Sequence, residues 1–385
     1  IYISSSWFDG HYMWNICQQA LDGMISDKPM TMLAVDLAVV INHSIKSRKQ
    51  MKRERKKQDP TTWALEFLNL RLKSNERAYF EYELLNKNQR LRQPFYPRKH
   101  MDVKMNKKNP YAIPRQNGEV RIIAVDCAFI KGSRNDNSIY SCIRALPESV
   151  KYQRENTEDY VMSKGYRRQL NYMEAAEDTE CNAQAIRIRQ LYDDYNADYI
   201  VIDQRNAGVS IITALQRPLY DPDRNVEYEP LLVMNNDDIA KMSSNPNAKP
   251  VIYTITASQK LNSDIAMNFT TNLENEMIDL LVPLNIAQED VLPNIDGYSE
   301  AIAQTSVDSQ LAFEKPFLET SEFISETINL VYEKKEQTGA VVISETGTNC
   351  KDRYTSFSYG SYFIDKLAED LLSAQDEYET CVFVN

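Results

Sequence analysis

Two aspartates end the two most apolar strand-like segments of this 385-residue sequence. Asp126 closes the run 120–126, and Asp203 closes the run 199–203. Ligands of open α/β sheets bind at the carboxyl ends of the strands, where two neighbouring carboxylates repel each other strongly. A divalent cation relieves that repulsion, and oxygen ligands alone suit Mg²⁺ or Mn²⁺. Taken singly, either aspartate also fits a simpler interpretation, in which it caps the next helix or ends its strand in water.

A third acid is predicted at Asp352, the first residue of a long amphipathic helix over 352–378. The helix dipole favours an acid at that position without any catalytic role. Asp365, further along the same helix, competes for the third position. Three acids supplied by two strands and one helix suit two-metal phosphodiester cleavage. In that chemistry two ions, about 3.5–4 Å apart, activate the attacking water and neutralise the leaving oxygen.

Histidine-based chemistry is not expected. His11, His43 and His100 all lie in the N-terminal third, away from the aspartates, so the sequence predicts neither a histidine-zinc site nor a histidine-based triad. Six scattered cysteines form no C-x-x-C pair, which is typical of reduced thiols in a cytosolic protein. The apolar runs fall far short of the roughly 18 residues that a membrane-spanning helix needs.

The elements that position the acids follow from the apolar periodicity. A mixed α/β sheet is predicted, because short strand-like runs surround one amphipathic helix. The strands are predicted over 120–126, 138–146, 166–173, 199–203, 230–234 and 251–255, and the helix over 180–195. The short polar loop after the first strand indicates an antiparallel pair. Towards the C-terminus, 262–336 is acidic and helical in pieces, most clearly over 317–332, and 339–345 is a strand or hairpin arm.

Charge divides the chain unevenly. Residues 1–115 hold 21 Lys and Arg against 11 Asp and Glu, whereas the whole chain has a net charge of −11. Two basic stretches, 46–57 and 87–115, are candidates for phosphate contacts, with a solvated surface as the alternative. Four prolines interrupt the second stretch, which predicts a linker or extended crossing with a domain boundary near residue 112. A 385-residue chain predicts two or three domains, and the missing initiator Met is typical of a fragment.

Several segments resemble the large terminase subunit of tailed bacteriophages, the motor and nuclease that packages viral DNA. The segment 122–126 looks like the first strand of its RNase H-like nuclease domain. The strand 199–203 and the following Asn-Ala-Gly look like the strand and glycine turn that carry the second acid. The segment 351–360, which holds Asp352, Ser356, Tyr359 and Gly360, is similar to the one carrying the third. Upstream, 3–6 and 59–69 resemble the coupling motif and the closing segment of the family's ATPase domain.

The resemblance implies a fold, a domain division and residue roles. The fold is α/β, an RNase H-like mixed sheet flanked by helices and preceded by a mostly helical segment that closes an ATPase domain. Residues 1–111 are expected to be the remnant of the ATPase domain with a basic linker, and 112–385 the nuclease domain. Asp126 is expected to bridge two Mg²⁺ or Mn²⁺ ions, with one ion each on Asp203 and Asp352. Asp136 resembles an accessory metal-binding acid.

The implied activity is cleavage of concatemeric double-stranded DNA by a metal-dependent endonuclease. A phosphate loop of the form G-x-x-x-x-G-K is absent from the sequence, so ATP hydrolysis is expected only in a longer chain. The implied partners are double-stranded DNA, the portal protein and the small terminase subunit, with no membrane. The implied location is the host cell cytoplasm, at the portal vertex of the procapsid.

Two alternatives share parts of this interpretation. One is another RNase H-like nuclease, such as a junction resolvase or a transposase, which uses the same carboxylate chemistry on branched or transposon-end DNA. The other is a non-enzymatic module that docks on the portal or on the duplex. The acidic region 262–336 suits a protein contact better than a DNA contact.

Overall fold

The structure is a computed structural model. It describes residues 12–26, 28–29, 31–33, 37–43, 45–55, 78–128, 137–153, 160–176, 180–205, 207–303, 307–334, 341–345 and 350–380. Asp136, the segment 3–6 and the segment 59–69 lie outside the described residues.

Within these ranges the strands form one large sheet and two small hairpins. The strands are β1 (Gln89–Leu91), β2 (Val120–Asp126), β3 (Ser138–Gln153), β4 (Tyr160–Ala176), β5 (Tyr199–Asp203), β6 (Leu219–Asp221), β7 (Val226–Tyr228), β8 (Leu231–Val233), β9 (Lys249–Ile255), β10 (Ile278–Leu281), β11 (Val331–Lys334) and β12 (Val341–Ser344). The large sheet has the order β1-β10-β4-β3-β2-β5-β9-β8, and β6 with β7 and β11 with β12 form the hairpins.

The described residues also form helices. They are α1 (Tyr12–Ile25), α2 (Leu37–Asn42), α3 (Arg48–Arg55), α4 (Tyr82–Lys87), α5 (His100–Lys104), α6 (Cys181–Tyr195), α7 (Ala207–Leu215), α8 (Asp237–Ala240), α9 (Gln259–Glu274), α10 (Leu284–Ile286), α11 (Tyr298–Ala303), α12 (Val307–Ile328) and α13 (Asp352–Thr380). Among the described residues, no helix combines the length and the apolar character needed to cross a bilayer.

The centre of the sheet has the RNase H-like arrangement predicted from the sequence. In the order β4-β3-β2-β5-β9, β3 is antiparallel to both of its neighbours, whereas β5 and β9 run parallel to β2. The connection from β2 to β4 is a meander, and the connection from β4 to β5 passes through α6. The predicted fold class, an α/β mixed sheet flanked by helices, is therefore confirmed.

Alternating residues of β2 point into two different cores. Ile122 and Ala124 belong to the core under α9, α12 and α13, whereas Ile123 and Val125 belong to the core under α6 and α7. Successive side chains of a strand point to opposite faces, so a strand covered on both sides must be apolar throughout. This explains the unbroken apolar run before Asp126.

Several predicted elements have different bounds in the structure. The predicted strands 138–146 and 166–173 belong to the much longer β3 and β4, which pair along their whole length. The helix predicted over 317–332 is α12, which ends at Ile328 and gives way to β11 at Val331. The expectation of helix through residue 332 was wrong there, because the chain turns after Ile328 and pairs with β12.

The basic stretch 87–115 lies against the sheet. Its β1 pairs with β10, and Phe95 is buried in the core under α6 and α7. Arg90 pairs with the Asp279 carboxylate at 2.6 Å, and Arg98 with that of Asp194 at 2.6 Å. Part of the positive charge that was a candidate for phosphate contacts is therefore neutralised within the chain. The division into 1–111 and 112–385 stays a prediction.

Candidate active site

Strand register brings Asp126 and Asp203 together. On the parallel strands β2 and β5, Val125 lies opposite Ile202, so the two aspartates follow at neighbouring positions at the carboxyl edge of the sheet. Neighbouring strands are about 4.8 Å apart. The residues just before each acid, 122–125 and 200–202, are apolar and buried, so each carboxylate leaves the sheet from a rigid backbone position.

The glycine turn after β5 keeps the chain close to Asp203. A Cβ atom at Gly208 would lie 1.6 Å from the Asp203 carbonyl oxygen, a distance no side chain can adopt. The first turn of α7 therefore passes directly over the end of β5 only because residue 208 is glycine. This gives a physical reason for the strand and glycine pattern noted in the sequence.

Two small residues of α13 hold this helix against the sheet. Ser356 donates a hydrogen bond to the Ala124 carbonyl oxygen at 3.0 Å, and its Oγ lies 2.7 Å from the Ser141 Oγ. At Gly360 a Cβ atom would lie 2.3 Å from the Ile143 Cδ1. Asp352 is four residues before Ser356 and so lies on the same helix face. The contact with Ala124, two residues before Asp126, sets Asp352 towards the carboxyl end of β2.

A pair of ionic contacts fixes the first turn of α13. The backbone N–H of Arg353 donates to the Glu326 carboxylate at 3.0 Å. Its guanidinium forms ion pairs with Glu326 and, at 2.8 Å, with Glu319, both from α12. Asp352 therefore starts a helix whose N-terminus is anchored to a neighbouring helix as well as to the sheet.

The three aspartates interact electrostatically. Burial raises the pKa of the Asp126 carboxyl well above its ordinary value, and the charges of Asp352 and Asp203 raise it further. Lys351 and the backbone N–H of Cys127 act in the opposite direction. The predicted residues Asp126, Asp203 and Asp352 thus lie close enough for their charges to act at one place.

Asp203 also has a cationic partner that the sequence analysis did not identify. The Asp203 carboxylate accepts a hydrogen bond from the Arg205 backbone N–H at 2.9 Å and lies 3.2 Å from the Arg205 Nη2. The Arg205 side chain also reaches the Tyr359 hydroxyl of α13. Burial and the charges of Asp203 and Asp126 raise the pKa of Tyr359, so its phenol is neutral. The sequence feature that could have indicated this pair is a basic residue two positions after an acid that ends a strand.

Asp365, the competing third acid, lies elsewhere. Its carboxylate forms an ion pair with Arg168 and accepts a hydrogen bond from Asn272 at 3.3 Å. Thirteen residues of helix separate it from Asp352, a rise of roughly 20 Å. Asp365 therefore serves to compensate a buried arginine of β4, and the geometry favours Asp352.

The donor set of the three aspartates fits Mg²⁺ or Mn²⁺ in chemical type. All three side chains offer carboxylate oxygens, and their mutual repulsion is the property that a bound cation offsets. As placed, they do not form a ready ligand cluster: in the described part of the chain no three His, Cys, Asp or Glu side chains lie close enough to hold an ion. The Asp203 carboxylate is turned towards Arg205.

One groove among the described residues lies apart from this site. It has a volume of about 460 Å³ and runs between the segment 92–113 and the segment 290–296. Tyr96, Tyr111 and Ile295 are among its walls, and none of the three aspartates lines it. The aspartates instead lie at the carboxyl ends of β2 and β5 and at the start of α13.

Comparison with known proteins finds similarity at the level of structure. No family model and no curated protein matches the sequence. The chain is similar to the large terminase nuclease from thermophilic phage G20c with bound magnesium. The TM-score is 0.37 at 13% identity, over 74% of this chain and 96% of that one. The cobalt-bound structure of the same nuclease gives 0.35 at 12%, over the same shares.

A longer phage protein is also similar. The HK97 bacteriophage large terminase gives a TM-score of 0.32 at 9% identity, over 89% of this chain and 59% of that chain. This chain thus spans little more than half the length of that terminase. The strand order and strand directions of the large sheet, rather than these scores, establish the RNase H-like fold class.

Proposed function

We propose that this chain is a metal-dependent endonuclease of a viral genome-packaging motor that cuts double-stranded DNA. The proposal is supported by the register that sets Asp126 beside Asp203 at the carboxyl edge of the sheet, and by the Ser356 contact that directs the start of α13, with Asp352, towards the same edge. Burial raises the pKa of Asp126, and the charges of Asp352 and Asp203 raise it further. Carboxylates that destabilise one another in this way are typical of sites that bind cations.

Each aspartate has a role set by its position. Asp126 lies next to Asp203 in the register and within the field of Asp352, so it is the residue able to serve both halves of the site. Asp203 and Asp352 would each hold one of the two ions. Two bound Mg²⁺ or Mn²⁺ ions would supply an activated water and neutralise charge on the leaving oxygen. Tyr359, neutral and buried, is placed to keep a hydroxyl between Asp203 and the helix without adding charge.

The biological setting follows from the resemblance to large terminases. The substrate is concatemeric double-stranded DNA, and the reaction takes place in the host cell cytoplasm at the portal vertex of the procapsid. The portal protein and the small terminase subunit are the protein partners, and ATP hydrolysis belongs to a longer chain. Asp136 is retained as an accessory metal-binding residue and the nuclease domain as residues 112–385.

Plasmid cleavage tests the proposal. Supercoiled plasmid is incubated with the folded chain and either Mn²⁺, Mg²⁺ or a chelator. Wild-type protein should convert it to nicked and linear forms only with metal. Asp126→Asn should reduce the rate at least a hundredfold, because loss of even an outer partner of a metal site costs about 10- to 100-fold. Asp238→Asn is the matched control, since Asp238 is an exposed acid whose carboxylate pairs only locally with Lys241.

Retained supercoiled DNA with folded wild-type protein would contradict the proposal. Equal losses in Asp126→Asn and Asp238→Asn would contradict the assigned site. A strong preference for four-way junctions over linear duplex would favour a resolvase-like enzyme instead. Portal binding without any metal-dependent cleavage would favour a docking module.

A further inference from the structure

The ion pair between Arg205 and Asp203 differs from the other arginine pairs around the sheet. The Arg205 side chain is 50% exposed, whereas those of Arg121 and Arg224 are 4% and 1% exposed in their own carboxylate pairs. Buried pairs of that kind are fixed by packing, and removing one partner is costly. An exposed pair is worth little, because water solvates both partners once they separate. Arg205 is therefore free to leave Asp203.

The contacts of Arg205 place its positive charge where a cation is expected. Its Nη2 lies 3.2 Å from the Asp203 Oδ2, and its Nε lies 3.4 Å from the Oδ1, so the fork covers both oxygens. A carboxylate engaged in this way has fewer lone pairs for a metal ion. The backbone N–H of Arg205 also holds the Oδ1, at 2.9 Å, and this contact does not depend on the side chain.

An arginine released from Asp203 has a clear alternative partner. The guanidinium has five donors in a rigid fork that matches phosphate oxygens. Arg205 follows the end of β5 by two residues, so its side chain stays within reach of any phosphate that the three aspartates cut. On the side of α13, the Arg205 guanidinium interacts with the Tyr359 hydroxyl.

We propose that Arg205 is an exchangeable cation of this site, which neutralises Asp203 before metal binds and contacts a phosphate of the DNA backbone afterwards. This inference rests on the proposed nuclease function. In it, the exposed Arg205 side chain competes with the metal ion and also contacts the substrate. The exchange needs no backbone movement, since only the side-chain contacts to Asp203 are broken.

Metal binding without DNA gives the first test. Mn²⁺ affinity is measured by titration calorimetry for wild type, Arg205→Met and Arg205→Lys. Arg205→Met should bind Mn²⁺ about three- to fivefold more tightly, the scale of an exposed ion pair. Arg205→Lys, which keeps the charge, should stay closer to wild type. The matched control is Arg92→Met, because Arg92 is similarly exposed and pairs with Asp290 away from the aspartates.

DNA affinity gives the second test. Binding of a duplex oligonucleotide is measured by fluorescence anisotropy in the Asp126→Asn background, which should not cleave. Adding Arg205→Met should weaken binding several-fold and reduce the slope of log affinity against log salt by about 1, the value expected for one lost phosphate contact. Adding Arg205→Lys should restore the slope but only part of the affinity, because lysine lacks the fork.

The outcomes separate this inference from the function on which it rests. If the wild type cleaves DNA but Arg205→Met matches wild type in both Mn²⁺ affinity and salt slope, only the role of Arg205 is overturned. A gain in Mn²⁺ affinity with an unchanged salt slope overturns the phosphate contact. A wild type that neither binds Mn²⁺ nor cleaves DNA overturns both proposals.

Discussion

The carboxylates at the two ends of strand β2 lie in opposite electrostatic surroundings. At its start, Glu119 lies buried between Arg121 and Arg144, at 2.5 and 2.9 Å. Burial would raise the pKa of Glu119, but the bonds from Arg144, the Gln116 backbone and Arg121 outweigh it, so the pKa is lowered. At its end, burial raises the pKa of Asp126, and the charges of Asp352 and Asp203 raise it further. The two acids are seven positions apart along the chain, and only Glu119 has arginine partners that outweigh its burial.

This difference separates structure from function within one element. The Arg121 guanidinium donates further hydrogen bonds to the carbonyl oxygens of Tyr195 and Ile113, at 2.9 and 2.7 Å, so the compensated end ties the sheet to α6 and to the segment before β2. The uncompensated end has no such role, and its repulsion lowers the stability of the fold. Groups that oppose stability in this way are concentrated at functional sites.

Breaking the compensated end should give the largest effect on stability. Glu119→Gln leaves Arg121 and Arg144 buried without a full counter-charge, so the free energy of unfolding should fall by about 3–5 kcal/mol. Urea denaturation at pH 7 measures the change. Glu148→Gln is the control, because Glu148 pairs with Arg167 but is more than one-third exposed. A loss no larger than that of Glu148→Gln would contradict the assigned difference between the two pairs.

Moving the helix that faces the uncompensated end should have an intermediate effect. Gly360→Ala puts a methyl group against Ile143 and Ala124, both fully buried, and overpacking of this kind costs about 1–3 kcal/mol. Metal-dependent cleavage should fall as well, because Asp352 is carried on the same helix. Thermal unfolding and plasmid cleavage are compared with Lys366→Ala, a change on a more exposed face of α13. Unchanged cleavage would show that the close contact of α13 with the sheet at Gly360 does not position Asp352.

Relieving the uncompensated end should give the smallest change, and with the opposite sign. Asp126→Asn should raise the free energy of unfolding in metal-free buffer at pH 7, because burial and the charges of Asp352 and Asp203 destabilise the wild-type carboxylate in the fold. The gain should vanish as the pH falls towards 3.8, the ordinary pKa, since the wild-type carboxyl is then neutral too.

The deficit of Glu119→Gln should shrink in the same acid range for the opposite reason. The pKa of Glu119 is lowered in the fold, so its contribution is complete above 4.5 and is lost as the pH falls through the lowered value. Unfolding curves of wild type and both variants between pH 3.5 and 8 test these two predictions. A gain for Asp126→Asn that persists at pH 3.5 would contradict the repulsion.

The sequence predicted the centre of the fold because that part is set by local patterns. In β2 and β5, the side chains that pack into the two cores are apolar without interruption. Both predicted spans match the structure. β10 was missed, because its four residues stand in an acidic region and include Asp279. That aspartate is buried only because Arg90 and Arg167 compensate it from positions far along the chain. Such long-range pairs leave no local signal.

The candidate site was predictable to a similar extent. The three aspartates could be predicted from strand ends and from the resemblance of the segment 351–360. The engagement of Asp203 by Arg205 could not, because it depends on where one flexible side chain points. The phosphate role proposed for the basic stretch 87–115 was weakened by partners such as Asp194, which lie some 100 residues away.

The bond from Ser356 to Ala124 spans 232 positions of the chain. During synthesis on the ribosome, β2 and β5 emerge long before the helix that carries Asp352, so two acids exist for a time without the third. A nascent or prematurely terminated chain therefore carries an incomplete centre. Under the proposed function, metal-dependent cleavage begins only once α13 has docked against β2.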